Sequence, residues 1–503
     1  MRNYLSWLEK IDSRLLIFVV LICNNLAFPL SGGEEQYLQY AKQWFQPEWI
    51  PGSFTLTEFA GPRLIFQIIC GFFLQFISIE WFAMIARVVA FALFAFPLAR
   101  LFRQLTLSNA YIFIILQIFL VTDQSLFARE WMFRTFEPKV LAYVCLFWGL
   151  TDFLDKKYIR WAMWLVAASY FHVLVGGWFF ATGMIYLLLN NRDWRQIAKL
   201  YAVFVLPLLP FIIYLVNGVF LNQPQVGSAL NLNWVYVYYR LSHHLGIFDS
   251  WKFFADKHLT GVLLSAIWLA VCVVLLRKSL PDYLRLLIHF IIIILAINLL
   301  FVGVAALDAF VFAKSGGFGL KFYPFRQSTL AMFFLFLLIA AFSEWLLIEK
   351  KWFESIKTVM LIAVFGLFVS QTISVVKHNI QYFKGDSAYS KMIDFVHEKT
   401  TFDEQFILID LGNFQSPPEY MSFSRRTQRE NFVVFKFVPA GTAKLAEWYE
   451  RNQVLEIIAK DASQLVPLMR QYGIDYVIAP HAIEDADLAN VFQNEKYWVY
   501  RER

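Results

Sequence analysis

The sequence predicts a polytopic α-helical membrane protein of about 11 spans, with interfacial helices on its outer side and a small C-terminal α/β domain. Three observations carry this. The 503 residues are 59% hydrophobic and only 16% charged, against about 25% charge in an ordinary soluble protein. Apolar runs of spanning length recur along the first three quarters of the chain. From about residue 377 onward those runs give way to short alternating strands and amphipathic helices. The net charge of +6 suits a membrane protein with basic loops and does not point to nucleic acid. Cys23, Cys70, Cys145 and Cys272 all lie in apolar segments without a C-x-x-C spacing, so neither a disulfide framework nor a zinc site is expected. The N-terminus does not read as a cleavable signal peptide.

Expected spans are 15–31, 80–101, 108–122, 138–153, 161–175, 177–190, 198–217, 257–277, 284–306, 326–348 and 356–376. The basic clusters lie at Arg2/Lys10/Arg14, Arg100/Arg103, Lys156/Lys157/Arg160, Arg192/Arg195/Lys199, Arg277/Lys278/Arg285 and Lys350/Lys351/Lys357. The positive-inside rule puts all of them in the cytoplasm. That holds only if the apolar run 61–77 does not cross, so it is expected to lie at the outer interface. The run 161–189 sits between two basic loops and must go in and return. Each half is then about 21 Å long at 1.5 Å per residue, short of a bilayer core of about 30 Å. Two short helices breaking at Gly176–Gly177 are expected, with the tip "FHVLVGG" in a shielded outer cavity.

The transmembrane domain is therefore placed at 1–376 and the outer α/β domain at 377–503. In the latter, "FILIDLG" (406–412), "FVVFKFVP" (432–439), "YVIAP" (476–480) and "YWVYRE" (497–502) read as strands. The stretches 441–460 and 461–473 read as helices, the second ended by Gly473.

The outer segments 32–79, 123–137, 172–176, 218–256 and 307–325 hold polar residues that are costly at membrane depth and usually line a cavity. They include Glu34, Glu35, Arg63, Glu130, Glu137, His172, Arg240, His243, His244 and Lys321, with Lys139 and Arg326 at span mouths. A carboxylate just past a span can act as a general base or hold a divalent cation such as Mg. Arginine and lysine at span mouths suit a phosphate that stays near lipid. Structural roles compete with each of these readings. Glu34 and Glu35 also suit the N-terminus of an interfacial helix over 34–45. The charges of 129–137 also suit an ion-pair network. The histidines also suit the core or the solvent.

In its layout the chain resembles the GT-C class of membrane glycosyltransferases. A more specific similarity is to bacterial GT-C-like proteins that share patterns like "EW…EPKVLAY", "FHVLVGGW", "YPFR" and "FKFVPAGTAKLAEWYER". It departs from the class in having glutamate, not aspartate, at the first acidic position, and it lacks a clear Asp-x-Asp in the second acidic loop. The resemblance implies transfer of a sugar from a polyprenyl-phosphate-linked donor to a glycan, lipid or protein acceptor. The reaction would take place at the outer face of the bacterial cytoplasmic membrane, with the N-terminus inside. It makes Glu34 or Glu35, with Glu35 preferred, the base of an inverting attack, and adds Glu130 to the catalytic set. Lys321 and Arg326 would hold the donor phosphate. Glu137, Lys139, His172, Arg240, His243, His244 and Arg63 would line the substrate site. A transporter, whose charges should extend through the spans, a non-catalytic scaffold and a polymerase remain as alternatives.

Overall fold

The computed structural model describes residues 7–190, 193–218, 230–315, 317, 319–347, 353–409 and 418–503. Arg2, Arg192, Lys350 and Lys351, and the end of the expected strand 406–412, lie outside the described residues. The chain divides into two compact units. The first comprises Met1–Ala27, Met84–Ile212 and Asn233–Lys377, and the second Phe28–Ala83, Ile213–Leu232 and His378–Arg503.

The first unit is helical and belongs to a multi-pass membrane protein. Among the described residues, six helices are long and apolar enough to cross a bilayer, and seven if the bent pair Trp251–Lys257 and Leu259–Leu275 is one span. The expectation of about 11 crossings goes beyond this count, because helices such as Ser13–Asn25 and Asn109–Val121 are too short to meet it by length alone. The bend of 60° falls at His258 inside the expected span 257–277.

The helices carry different chemistry at their two ends. At one end, Arg100 pairs with Asp152 (3.1 Å) and Asp155 (2.5 Å), Arg160 with Asp152 (3.1 Å), and Lys157 with Asp155 (2.9 Å). Lys357 lies 3.7 Å from Glu344, which accepts from the Ser108 amide at 3.1 Å. Basic loops far apart in sequence therefore meet here. The helix Pro138–Leu154 leads from this end to the loop holding Glu130, and Ser328–Leu347 leads from it back to Arg326. Between the ends lies a phenylalanine core. Phe133 packs on Phe94 (4.9 Å), Phe147 (6.4 Å) and Phe333 (5.9 Å), and Phe119 on Phe333 (5.1 Å). Such pairs add about 0.5–1.5 kcal/mol each beyond area burial.

The expected break at Gly176–Gly177 is corrected. The helices are Tyr158–Phe171 and Val173–Asn190, and the break is at His172, whose backbone is extended (φ −156°, ψ 97°). The glycines serve packing instead. A Cβ on Gly176 would lie 2.2 Å from Ser169 Oγ and 2.6 Å from the Leu165 carbonyl, so only glycine lets the two helices close.

The second unit joins the segment 28–83 to a five-stranded sheet. The strands are β1 (Gln405–Leu408), β2 (Glu430–Asn431), β3 (Tyr476–Ala479), β4 (Leu488–Gln493) and β5 (Trp498–Glu502). Their order is β2-β1-β3-β5-β4, parallel across the first three and antiparallel across the last two pairs. Residues 432–439 are not a strand. Their apolar side chains are drawn into packing, with Phe437 against Tyr40 at 5.7 Å and the Val434 carbonyl accepting from Trp448 Nε1 at 3.2 Å. β4 was not anticipated, because its residues alternate weakly. The helix Thr442–Lys460 forms as expected, and Leu465–Tyr472 ends at Gly473 with φ +66°. The run 61–77 contains a 3-10 turn, Gly61–Arg63, and the helix Leu64–Phe73, too short by itself to span. Thr55 and Glu430 tie the two parts of the unit together: the Thr55 amide and hydroxyl both donate to the Glu430 carboxylate at 3.1 Å.

Candidate functional site

Glu130 is the centre of the first unit's polar end. It is buried, and Arg326 Nη2 (3.1 Å) and Lys139 Nζ (3.3 Å) contact its two oxygens. Lys139 is also 3.6 Å from Glu137, and its ammonium lies 3.7 Å from the Trp131 ring centroid. The His244 ring is 3.9 Å from Glu130. Burial pushes the Glu130 carboxyl up, but Arg326, Lys139 and His244 outweigh it and hold the group well below the usual carboxylate range.

Local structure fixes this geometry. Ala128 and Arg129 hold φ of +64° and +49°, a left-handed pair without glycine directly before Glu130. Such residues cost about 1–3 kcal/mol each and persist where the surroundings over-determine them. Gln124 closes the loop by accepting from the Met132 and Phe133 amides (both 2.9 Å) and donating to the Phe133 carbonyl (3.0 Å). Ser328 donates to the Phe127 carbonyl at 2.7 Å. Gly261 lies beneath the loop, where a Cβ would be 1.8 Å from the Leu126 carbonyl oxygen. On the other side, Tyr323 has φ +49° immediately before Pro324, although a residue preceding proline favours extended backbone. This turn delivers Arg326, which lies 4.8 Å from the Tyr323 ring centroid.

His244 Nδ1 is 2.6 Å from the Ala128 carbonyl, which assigns the proton to that nitrogen. Burial pushes the imidazole down to about 4, despite Glu130, so it is neutral at pH 7. The His243 ring lies beside it, tilted by 42°, with ring centroids 4.0 Å apart. Lys321 is half-buried and makes no ion pair among the described residues; its ammonium lies 5.8 Å from the Tyr236 ring centroid. The Tyr236 and Tyr323 hydroxyls are 3.4 Å apart. An aromatic path thus links Lys321 to Arg326. His172 lies within electrostatic reach of Arg326, Glu130 and Lys139, and its buried Nδ1 has no hydrogen-bond partner in the described structure. The Tyr143 hydroxyl is another buried atom without a partner. Arg240 is buried at the end of a π-helical turn, Val235–Arg240. Trp131, Tyr143, Tyr236 and Tyr323 escaped sequence reasoning, since aromatics are too common in this chain to single out.

Three of the candidates fall in the second unit. Glu34 and Ser31 form a capping box at the start of helix Gly32–Phe45: the Ser31 hydroxyl accepts from the Glu34 amide at 3.2 Å, and the Glu34 carboxylate accepts from the Ser31 amide at 2.9 Å. Arg425 grips both oxygens of Glu35, from Nη2 at 2.8 Å and Nε at 2.9 Å, and also bonds Glu80. Arg63 pairs with Glu58 at 3.3 Å and lies over Tyr40. No sequence signal announces the Glu35–Arg425 pair, which bridges 390 positions.

Among the described residues no group of three or more His, Cys, Asp or Glu is placed to hold a metal ion. Around Glu130 the donor set does not fit a divalent cation, because the Lys139 ammonium already sits between the two carboxylates.

No protein-family model matches the chain, and no curated protein matches it. Among solved structures, a crystal structure of ArnT from Cupriavidus metallidurans in the apo state aligns over 97% of this chain and 95% of its own, with 14% identity and a TM-score of 0.40. At that identity and score the likeness assigns no role to any residue.

Proposed function

We propose that the protein is a GT-C-like membrane glycosyltransferase that moves a sugar from a polyprenyl-phosphate-linked donor to a glycan, lipid or protein acceptor at the outer face of a bacterial cytoplasmic membrane. The observation that carries this reading is the convergence of Arg326, Lys139 and Lys321 with Glu130 and an aromatic lining, at the helix ends away from the basic loops. Glu130 pre-positions two of these cations, and Lys321 keeps its charge available for a phosphate. In the transfer, an acceptor hydroxyl attacks the anomeric carbon, the bond from that carbon to the phosphate oxygen breaks, and polyprenyl phosphate leaves with the bonding pair. The hydroxyl proton passes to a base. The neutral His244 imidazole suits that task better than Glu130, whose basicity is spent on Arg326 and Lys139. Glu35, with both oxygens held by Arg425, is given a structural role.

The test is binding of a polyprenyl-phosphate sugar to the purified full chain. A charged hydrogen bond to phosphate is worth about 1.5–3 kcal/mol, so Lys321→Ala should weaken binding about tenfold to a hundredfold with the fold intact. Unchanged affinity in folded Lys321→Ala and Arg326→Ala proteins would remove the phosphate site from this place.

A further inference from the structure

Two histidines hold the backbone just before Glu130, and the transfer chemistry uses only one of them. His258 is buried at the 60° bend between the helices Trp251–Lys257 and Leu259–Leu275. The Ala128 amide donates to its Nδ1 at 3.4 Å. His244 Nδ1 meets the carbonyl of the same residue at 2.6 Å, while Glu130, at 3.9 Å, lies beyond bonding distance. The carbonyl before them, that of Phe127, accepts from the Ser328 hydroxyl at 2.7 Å. Three successive backbone groups therefore end on side chains from three separate parts of the first unit.

These bonds fix both rings. An imidazole nitrogen that accepts a hydrogen bond carries no proton, so the His258 proton is on Nε2, which is buried without a partner among the described residues. A second proton, on Nδ1, would point at the Ala128 N–H, so the geometry keeps His258 neutral. His244 is the reverse: its Nδ1 donates to a carbonyl, and its lone pair is left at Nε2, where a general base needs it. The hold also opposes strain. Ala128 has φ +64° and Arg129 φ +49°, a left-handed pair that residues with a Cβ adopt only when their surroundings impose it. Released, Ala128 would return to ordinary backbone and its carbonyl would turn away from His244.

We propose that His258 is a positioning residue for the Glu130 centre. By accepting the Ala128 amide it keeps Ala128 left-handed, so that the Ala128 carbonyl retains the His244 Nδ1 proton and the Nε2 lone pair stays free for an acceptor hydroxyl. The catalytic meaning of this hold rests on the reading of His244 as the base; the hold itself does not.

The experiment is magic-angle-spinning nitrogen NMR of the full chain, labelled at histidine and reconstituted in lipid. The two rings are assigned by the signals lost in His244→Gln and His258→Asn. In the parent, His244 should show a protonated Nδ1 and a bare Nε2, and His258 the opposite. The same tautomer on both rings overturns the proposal without any variant having to fold. His258→Phe keeps a ring and removes the acceptor, so the His244 Nδ1–H signal should shift or split. His258→Asn puts an amide oxygen in the place of Nδ1 and should return that signal to its parent position. An unmoved His244 signal in His258→Phe, or equal displacement in both variants, overturns the positioning role and leaves His258 as a packing residue of the bend. If the tautomers and the rescue are as expected while Lys321→Ala and Arg326→Ala leave donor affinity intact, the hold stands and the donor site falls.

Discussion

At the residue scale, Glu130 shows why a buried charge is judged by its partners. Removing one member of a buried ion pair strands the others and costs about 3–5 kcal/mol. Glu130→Gln leaves Arg326 and Lys139 facing each other without the acid between them, so it should lower the unfolding midpoint strongly. In the helix pair Glu447–Arg451 the acid is exposed and the arginine keeps a second partner in the Phe432 carbonyl; such an i,i+4 pair is worth only about 0.3–0.5 kcal/mol, and Glu447→Gln should barely move the midpoint. Thermal unfolding of the two variants in one detergent checks the contrast; equal losses would mean that the Glu130 cluster is not desolvated. His244 gives a pH signature. Its folded value is pushed from 6.5 to about 4 by burial, so in that window the unfolded chain takes up a proton that the folded chain refuses. The contribution is therefore complete above pH 6.5 and lost as pH falls toward 4. Its size is at most about 3.5 kcal/mol, since each pH unit of that window is worth about 1.4 kcal/mol. His244→Gln should flatten the fall of stability between pH 6.5 and 4, and a slope as steep as the parent's would assign the titration to other groups.

At the element scale, glycine spacing separates contact from mere presence. Gly176 and Gly177 are adjacent, yet a Cβ at 176 meets Ser169 and Leu165, whereas one at 177 meets nothing within 4 Å. Gly176→Ala should destabilise the helix pair by about 1–3 kcal/mol, the usual cost of overpacking. Gly177→Ala should be neutral or gain up to about 1 kcal/mol of helix propensity. Unfolding midpoints of the two variants would settle the difference, and matching losses would contradict the close approach. Sequence reading located this helix pair, because two basic loops flank one apolar run. It misplaced the break, because glycine signals both turns and tight packing, and only the neighbouring helix decides between them. The same limit applies to 432–439, whose apolar residues spell a strand but are claimed by Tyr40 and Trp448. The Glu130 group was partly legible, since unpaired-looking charges beside apolar runs stand out. The capping role of Glu34 was legible too, as one of two readings. The Arg425 grip on Glu35 was not, because nothing local records a partner 390 positions away.

At the scale of the whole molecule, the gathering of Arg100, Lys157, Arg160 and Lys357 at one end of the helices gives the charge-based topology a physical basis. Cations collected at one end of a bundle resist transfer across the membrane together, which is the force behind the positive-inside rule. The basic end is therefore expected in the cytoplasm, and the C-terminal sheet outside. Labelling with a membrane-impermeant maleimide tests this with little background, because Cys70, Cys145 and Cys272 are buried and Cys23 is half-buried. Ser387 and Lys157 are both exposed. In intact spheroplasts a Ser387→Cys protein should label at once, and a Lys157→Cys protein only after permeabilisation. The reverse pattern would turn the chain over. The Glu130 cluster would then face the cytoplasm, where nucleotide-activated sugars are the available donors, and the polyprenyl-phosphate donor would lose its rationale even if Lys321 proved to bind phosphate.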